Sequence, residues 1–237
     1  MNKSTLALAV AVGVLAQQAG AAGFIEDSKA SVSSRTYYFD ADNRENAAGT
    51  TNSTPSNRQR ETAEGLKFDY QSGFTQGVVG FGIDAQALVG IHLDGGKGHH
   101  PASNSFSPSD TDGSAVDEWS RAAANVKARF SKTEAHVGGA LQPNMPILIA
   151  NDSRVLPQVF EGGLLTSSEL DGLTFTGGSL NKVIDRASTN SEELILNSKN
   201  KRFSSGVSAD QLDLAGVDYQ FAKGLTGRYY YADLDDI

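Results

Sequence analysis

Residues 76–93 read QGVVGFGIDAQALVGIHL, and their order sets the expected architecture. The odd positions Val79, Phe81, Ile83, Ala85, Ala87, Val89, Ile91 and Leu93 are apolar. The even positions Gly80, Gly82, Asp84, Gln86, Gly90 and His92 are mostly small or polar. Successive side chains of a strand point to opposite faces, so the stretch is a ribbon with one greasy and one wet face. The alternation runs far beyond the roughly five or six residues of an average strand. A tilted strand that crosses a bilayer and projects past it has this length.

Flanking segments carry the same period. In Trp119 to Phe130, one face holds Ala122, Ala124, Val126, Ala128 and Phe130. The other holds Arg121, Ala123, Asn125, Lys127 and Arg129. Leu66, Phe68 and Tyr70 likewise oppose Lys67 and Asp69. The pattern predicts about nine strands, near 29–40, 61–72, 76–93, 118–130, 134–141, 162–170, 173–181, 209–221 and 225–235. Links at Gly73-Phe74-Thr75, Ser131-Lys132-Thr133, Asp171-Gly172 and Ala222-Lys223-Gly224 are short, the third a two-residue hairpin signal. Those at 41–60, 94–117, 142–161 and 182–208 are long and rich in Ser, Asn, Asp, Gly and Thr. Tight turns on one rim and long polar loops on the other characterise a transmembrane barrel, which pairs every backbone group without a helix. The expected class is therefore all-β, an antiparallel transmembrane β-barrel.

Composition agrees by exclusion. The 237 residues contain no Cys, 25 Gly and 28 acidic against 20 basic side chains, a net charge of −8. Thiolate chemistry, disulfide scaffolds and Cys-ligated metal are ruled out. The acidic balance argues against a nucleic-acid partner. Beyond the N-terminus no segment approaches the roughly 18 apolar residues of a spanning helix. The N-terminus itself has Lys3, the apolar run LALAVAVGVL at 6–15, and small residues at Ala19-Gly20-Ala21. Those are the parts of a secretory signal peptide, with cleavage near Ala21 or Ala22. The expected division is a signal peptide over 1–22 and a barrel segment over 23–237.

A family resemblance extends along the rest of the chain. Gly23-Phe24-Ile25-Glu26-Asp27-Ser28, Arg35-Thr36-Tyr37-Tyr38-Phe39 and the run DYQSGFTQGVVGFGIDAQALVGIHLD at 69–94 resemble the OprD-type specific porins of Gram-negative bacteria. So do Trp119-Ser120-Arg121, Arg129-Phe130-Ser131-Lys132-Thr133, Gln142-Pro143, Ser153-Arg154-Val155-Leu156-Pro157-Gln158 and Asp233-Leu234-Asp235-Asp236-Ile237. The resemblance implies an eighteen-stranded outer-membrane barrel that passes small carboxylate-bearing solutes, such as amino acids or aromatic acids, through an arginine-lined constriction. It implies no cofactor, contact with outer-membrane lipid, and either a homo-oligomer or a monomer. Family chains are much longer, so this chain reads as the N-terminal half of a barrel.

Function is expected on the wet faces. Arg121, Lys127 and Arg129 share one face opposite apolar residues, and Arg35 and Lys67 fall on wet faces by the same parity. Were they to face lipid near the midplane, each would cost about 2–4 kcal/mol. A row of cations along a low-dielectric wall draws an anion in and passes it on without holding it in one deep site. An alternative is that these cations pair with Asp69, Asp84 and loop carboxylates. In 142–161, Pro143, Pro146 and Pro157 bracket the apolar run Ile147-Leu148-Ile149-Ala150, which predicts a loop folded inward against the wall. The resemblance makes this the pore-narrowing loop, with Arg154 at the constriction beside Asn151, Asp152 and Ser153. A guanidinium can grip a carboxylate with two parallel hydrogen bonds. The alternative for Arg154 is an anchor that pairs with an acid.

Other features read more plainly. His99-His100 lacks spaced co-ligands for a metal and reads as a flexible loop tip. His92 and His136 are expected to line the lumen. The Gly-Gly pairs at 95–96, 138–139, 162–163 and 177–178 lack a phosphate-cradle context and fit bends in a curved sheet. Tyr37, Tyr38, Tyr70, Trp119 and Tyr229-Tyr230-Tyr231 suggest an interfacial girdle. Two rival functions are a soluble periplasmic or surface β-sheet binding protein and a Ser protease-type activity. No Gly-x-Ser-x-Gly elbow supports the latter.

Overall fold

The structure is a computed structural model and describes residues 23–42, 58–94, 99–100, 106–196 and 207–235. The expected signal peptide at 1–22 and the pair Gly95-Gly96 lie outside these residues. The described chain contains strands and turns, with no helix. The strands are β1 (Lys29–Asp42), β2 (Arg58–Gln71), β3 (Val79–Asp94), β4 (Glu118–Phe130), β5 (Thr133–Leu141), β6 (Asn144–Met145), β7 (Leu148–Ile149), β8 (Val159–Ser167), β9 (Leu173–Ile184), β10 (Leu194–Leu196), β11 (Val207–Ala209), β12 (Leu212–Ala222) and β13 (Leu225–Leu234).

Nine of them form one antiparallel sheet in the order β1-β2-β3-β4-β5-β8-β9-β12-β13. Every step pairs neighbours along the chain, and the small hairpins β6-β7 and β10-β11 are insertions in two of the long loops. The nine strands coincide with those predicted, apart from their ends. The β8–β9 connection spans 168–172 rather than two residues, and β12 begins at Leu212 because residues 207–209 pair with β10 instead.

Register carries the alternation across the whole sheet. Lys67 faces Leu88 and Leu88 faces Arg121; Gln71 faces Asp84, Asp84 faces Asn125, and Asn125 faces Gly138. One face thus collects Arg35, Lys67, Asp84, Arg121, Lys127 and His136. The opposite face exposes Val32, Tyr38, Phe68, Phe81, Val126, Val137, Phe175, Phe221 and Tyr229, from 41% to 74% accessible. Apolar side chains shown outward across consecutive strands are what lipid requires. The wet face is not wholly wet. Leu88 falls on it and is 1% exposed, packed with Ala63, Phe106, Trp119, Val155 and Leu156. A second inner cluster joins Leu141, Met145, Phe160, Leu180, Leu194, Ala209 and Leu214.

The aromatic girdle divides accordingly. Tyr38, Tyr229 and Tyr231 point outward as expected. Trp119 does not: it is buried on the inner face, its indole lying across Gly90, where a Cβ would collide with the ring. Tyr37 and Tyr230 also pack against the inner clusters.

Two β-bulges bend the sheet where the third long loop leaves it. Register with β8 slips between Gly138 and Leu141, and register between β8 and β9 slips between Glu161 and Gly162. Gly138 and Gly162 have φ of 135° and 145°, and each backbone lies so close to the next strand that a Cβ would collide with it. Bulges of this kind re-aim a strand, and here the chain beyond Leu141 turns onto the inner face.

The short-turn rim is tied together by one carboxylate. Glu169 accepts hydrogen bonds from Ser131 Oγ at 2.8 Å, Lys132 N at 2.8 Å and Thr133 Oγ1 at 3.0 Å, so it clasps the β4–β5 turn, where Ser131 has φ of 52°. These donors, the Ser131 hydroxyl first, lower the Glu169 pKa from its ordinary value. A lowered carboxyl pKa adds stability above the unfolded value, and that stability is lost as pH falls through the folded one. E169Q should therefore lower the melting temperature slightly at neutral pH. It should also shrink the loss of stability between roughly pH 5 and pH 3, read by thermal melts across that range.

Candidate functional site

The chain from Gln142 to Gln158 lies on the inner face of the sheet, as its apolar run predicted. It begins as the β6–β7 hairpin, closed by Ala150 N donating to Pro143 O at 2.8 Å. Met145, Leu148 and Ala150 pack into the second cluster, whereas Ile147 and Ile149 remain exposed. The return arm inserts Val155 and Leu156 into the first cluster between Leu88 and Trp119. Gly65 of β2 makes that seat, since a Cβ there would strike the Val155 carbonyl. Between the two packed arms, Gln158 N donates to Asn151 O at 2.8 Å and Asn151 N donates to Gln158 Oε1 at 3.1 Å. Asn151, Asp152 and Ser153 are thereby presented as an exposed tip.

Three arginines reach this tip. Arg35 from β1 donates through Nη1 and Nη2 to the two Asp152 carboxylate oxygens at 2.8 and 3.0 Å, and through Nη1 to Arg154 O at 2.7 Å. The acid pairing expected for an anchor thus belongs to Arg35. Arg154 donates to Ser153 O at 3.1 Å, and its guanidinium lies 5.5 Å from the Phe39 ring centre. Arg186 donates through Nη1 to Ser153 Oγ at 3.0 Å. Sequence reading passed over Arg186, because it lies in a long polar loop with no periodicity to aim it.

The other cations of the wet face differ in what they touch. Arg121 is 8% exposed, and its guanidinium donates to the carbonyls of Pro157, Asp185 and Ser188. It staples two loops together instead of presenting its charge to open space. Lys127 is buried over an ion pair with Asp84 at 2.6 Å, its stem passing across Gly82. Lys67 lies 3.3 Å from Asp69. Arg129 is exposed, with its guanidinium 4.1 Å from the Phe74 ring centre.

Between the root of the third loop and the short turns is a cavity of about 620 Å³, lined by Asp69, Asp84, Gln86, Asn125, Glu134 and His136 among others. His136 sits on this inner surface as expected, 2.7 Å from Glu134 and 3.4 Å from Asp84. The wet face therefore holds cations toward the loop tip and a mixed polar chamber below it. Such a surface can attract, orient and release a small charged solute.

The reading of His99-His100 as a flexible tip is overturned for His100, which is fully buried. Its Nδ1 is 2.5 Å from Glu61 Oε1 and its Nε2 is 2.8 Å from Ser109 Oγ, while Ser107 Oγ also donates to Glu61 at 3.0 Å. A buried carboxylate draws these partners because leaving it unpaired is costly. The order acid, imidazole, hydroxyl is that of a serine hydrolase. Yet the amide after Ser109, that of Asp110, donates to Ser114 O at 2.7 Å and is not open to an oxyanion. The cluster locks the second long loop to β2.

Residues 22–237 match the family described as outer membrane porin, OprD family. The chain is 37% identical over 235 residues to the porin-like protein GalP of Pseudomonas putida, covering 98% of this chain and 53% of that one. Among solved structures it resembles Pseudomonas aeruginosa OccK8 (OprE), with a TM-score of 0.76, 39% identity, and coverage of 90% of this chain and 48% of that one. It also resembles Pseudomonas aeruginosa OpdK solved with vanillate, with a TM-score of 0.77, 30% identity, and coverage of 91% and 51%. The chain spans about half the length of the curated relatives it matches. These relatives are channels rather than enzymes.

Two outcomes follow from this packing. G65A should push the Val155 arm off its seat and speed limited proteolysis of the 142–158 segment, with the sheet intact by circular dichroism. D84N leaves the buried Lys127 ammonium without its counter-charge and should destabilise the protein by up to about 3 kcal/mol in chemical denaturation.

Proposed function

Because the chain belongs to the OprD family of outer-membrane porins, we propose that it forms about half the wall of a passive, substrate-selective channel for small carboxylate-bearing solutes. Proteins of this family reside in the Gram-negative outer membrane. We propose delivery there by a signal peptide over residues 1–22, removed to leave a barrel segment from residue 23. Homo-oligomer and monomer both suit the sheet as described.

The observation that carries the reading is the third loop, folded onto the inner face with its tip among arginines rather than extended into solvent. Arg35, Lys67, Lys127 and Arg129 are the proposed pathway along the wall. Arg121 contributes to the field there but not to contact, because it is buried with its two terminal nitrogens engaged by carbonyls. Paired with Asp84, Asp69 and Asp152, three of these cations attract an anion without trapping it. Conduction needs that balance: binding strong enough to admit the solute and weak enough to release it. Asn151, Asp152, Ser153 and Arg154 form the proposed constriction, with the Arg154 guanidinium as the carboxylate contact. OpdK, solved with vanillate, shares 30% of its sequence with this chain, which supports an aromatic carboxylate as one solute class. The step is diffusion down a gradient and needs no cofactor or metal.

In the complete channel, R154A should reduce the anion-to-cation permeability ratio several-fold, measured by reversal potential across a KCl gradient in planar bilayers. An unchanged ratio would remove Arg154 from the constriction.

A further inference from the structure

We infer that Ser109, on the second long loop, is a covalent modification site: an activated hydroxyl that takes an acyl group from an activated carboxylic ester. The inference goes beyond the channel reading and stands apart from it, since the third loop and the cations of the wall play no part.

The relay begins at an acid and an imidazole that are both sealed from water, Glu61 and His100. Glu61 Oε1 is 2.5 Å from His100 Nδ1 and accepts from Ser107 Oγ at 3.0 Å. Its Oε2 accepts from Gln59 Nε2 at 2.8 Å. With both oxygens of Glu61 serving as acceptors, Nδ1 is the nitrogen of His100 that carries the proton. Nε2 keeps its lone pair and lies 2.8 Å from Ser109 Oγ. Ser109, unlike the two groups behind it, is exposed. A buried acid thus orients an imidazole, and the imidazole meets an open hydroxyl, the arrangement that activates a weak nucleophile.

Both ends of the relay are held in place. His99 O accepts from Arg60 N at 3.2 Å, which ties the backbone beside His100 to β2. Ser109 pairs with Ala115 in a β-bridge, and Val116 N donates to Pro108 O at 3.1 Å across the same turn. Between them Phe106 and Ser107 are buried, with the Phe106 ring 5.6 Å from that of Tyr37. The hydroxyl is therefore positioned before any reagent arrives, and little ordering is left for the reaction to supply.

In the step itself, Ser109 Oγ attacks the ester carbonyl carbon while its proton passes to His100 Nε2. The bond from that carbon to the leaving oxygen breaks, and His100 returns the proton to the departing group. The products are an O-acyl serine and an alcohol or phenol, with His100 neutral again. Assistance by a positioned base contributes roughly 10²–10⁴-fold. The amide that would stabilise the oxyanion, Asp110 N, is engaged by Ser114 O at 2.7 Å. The ester must therefore bring a good leaving group, and water attacks the acyl serine with equally little help. One adduct forms per chain, and it persists.

The test uses the complete channel in detergent micelles with p-nitrophenyl acetate, and peptide mass spectrometry reads acetylation at each serine. Ser109 should acetylate at least about tenfold faster than Ser153, which is exposed and hydrogen-bonded to Asn151 instead of an imidazole. H100Q should bring Ser109 down to the Ser153 rate. E61Q should lower it at least about tenfold, because His100 is then free to hold its proton on Nε2. Should these variants fail to fold, wild-type protein unfolded in guanidinium chloride serves in their place, and the advantage of Ser109 should vanish with the fold. Equal rates at Ser109 and Ser153 in the folded protein, or an advantage that survives H100Q or unfolding, would overturn the proposal. Nitrophenol release that depends on Ser109, shown by its loss in S109A, and that runs beyond one equivalent would overturn the single persistent adduct. None of these outcomes bears on the channel reading, which the R154A recording tests separately.

Discussion

In hydrocarbon a peptide group has no water to turn to, so each N–H and C=O must find its partner within the protein. A sheet in which every strand pairs with its neighbour in the chain meets that demand with the least rearrangement. Nine strands in unbroken succession do so here for every strand between the two edges, β1 and β13. Once such a ladder is in register, each side chain has only two directions to choose from. The apolar choice then faces outward on strand after strand, and polar groups must be accommodated inside. Everything particular to this molecule is a way of filling or lining that inner face.

Two kinds of interaction divide the task. Apolar clusters beneath the third loop fix where its arms lie, through Val155 and Leu156 on one side and Met145 and Leu148 on the other. Charged groups then set what remains open. Arg35 holds the tip by its acid, Arg121 joins the two loops through their carbonyls, and Lys127 is neutralised by Asp84. The buried Lys127–Asp84 pair recovers little net stability once desolvation is counted, but it fixes where the ammonium lies. The same residue type therefore serves as staple at Arg121 and as open charge at Arg154, with only the local partners differing.

That difference marks the limit of what could be read from residue order. Period two located all nine strands and assigned Arg121, Lys127 and Arg129 to the face opposite Val126 and Phe130, because a strand's parity is a local property. Parity says which face a side chain occupies but not what it meets there. Leu88 and Trp119 share the wet face with cations, and both are buried because a loop some thirty residues or more downstream covers them. Arg121 was indistinguishable from its ladder neighbours until Pro157, Asp185 and Ser188 were brought to it. His100 sits in a Gly-rich stretch that reads as unstructured, and only the long-range approach of Glu61 and Ser109 explains its burial. Strand boundaries slipped at β8, whose register breaks beside Gly162, and at β12, where 207–209 pair with β10 instead.

The third loop separates its foundations from its working surface. Residues 141–150 and 155–158 are held by packing against the inner clusters and by backbone bonds within the loop, and the seat at Gly65 admits no side chain. Among the described residues, 151–153 take hydrogen bonds from Arg35 of β1 and from Arg186 in the loop after β9. The tip is thus an interchangeable cassette on a fixed mount. A change confined to those three side chains leaves the packing of Met145, Leu148, Val155 and Leu156 untouched.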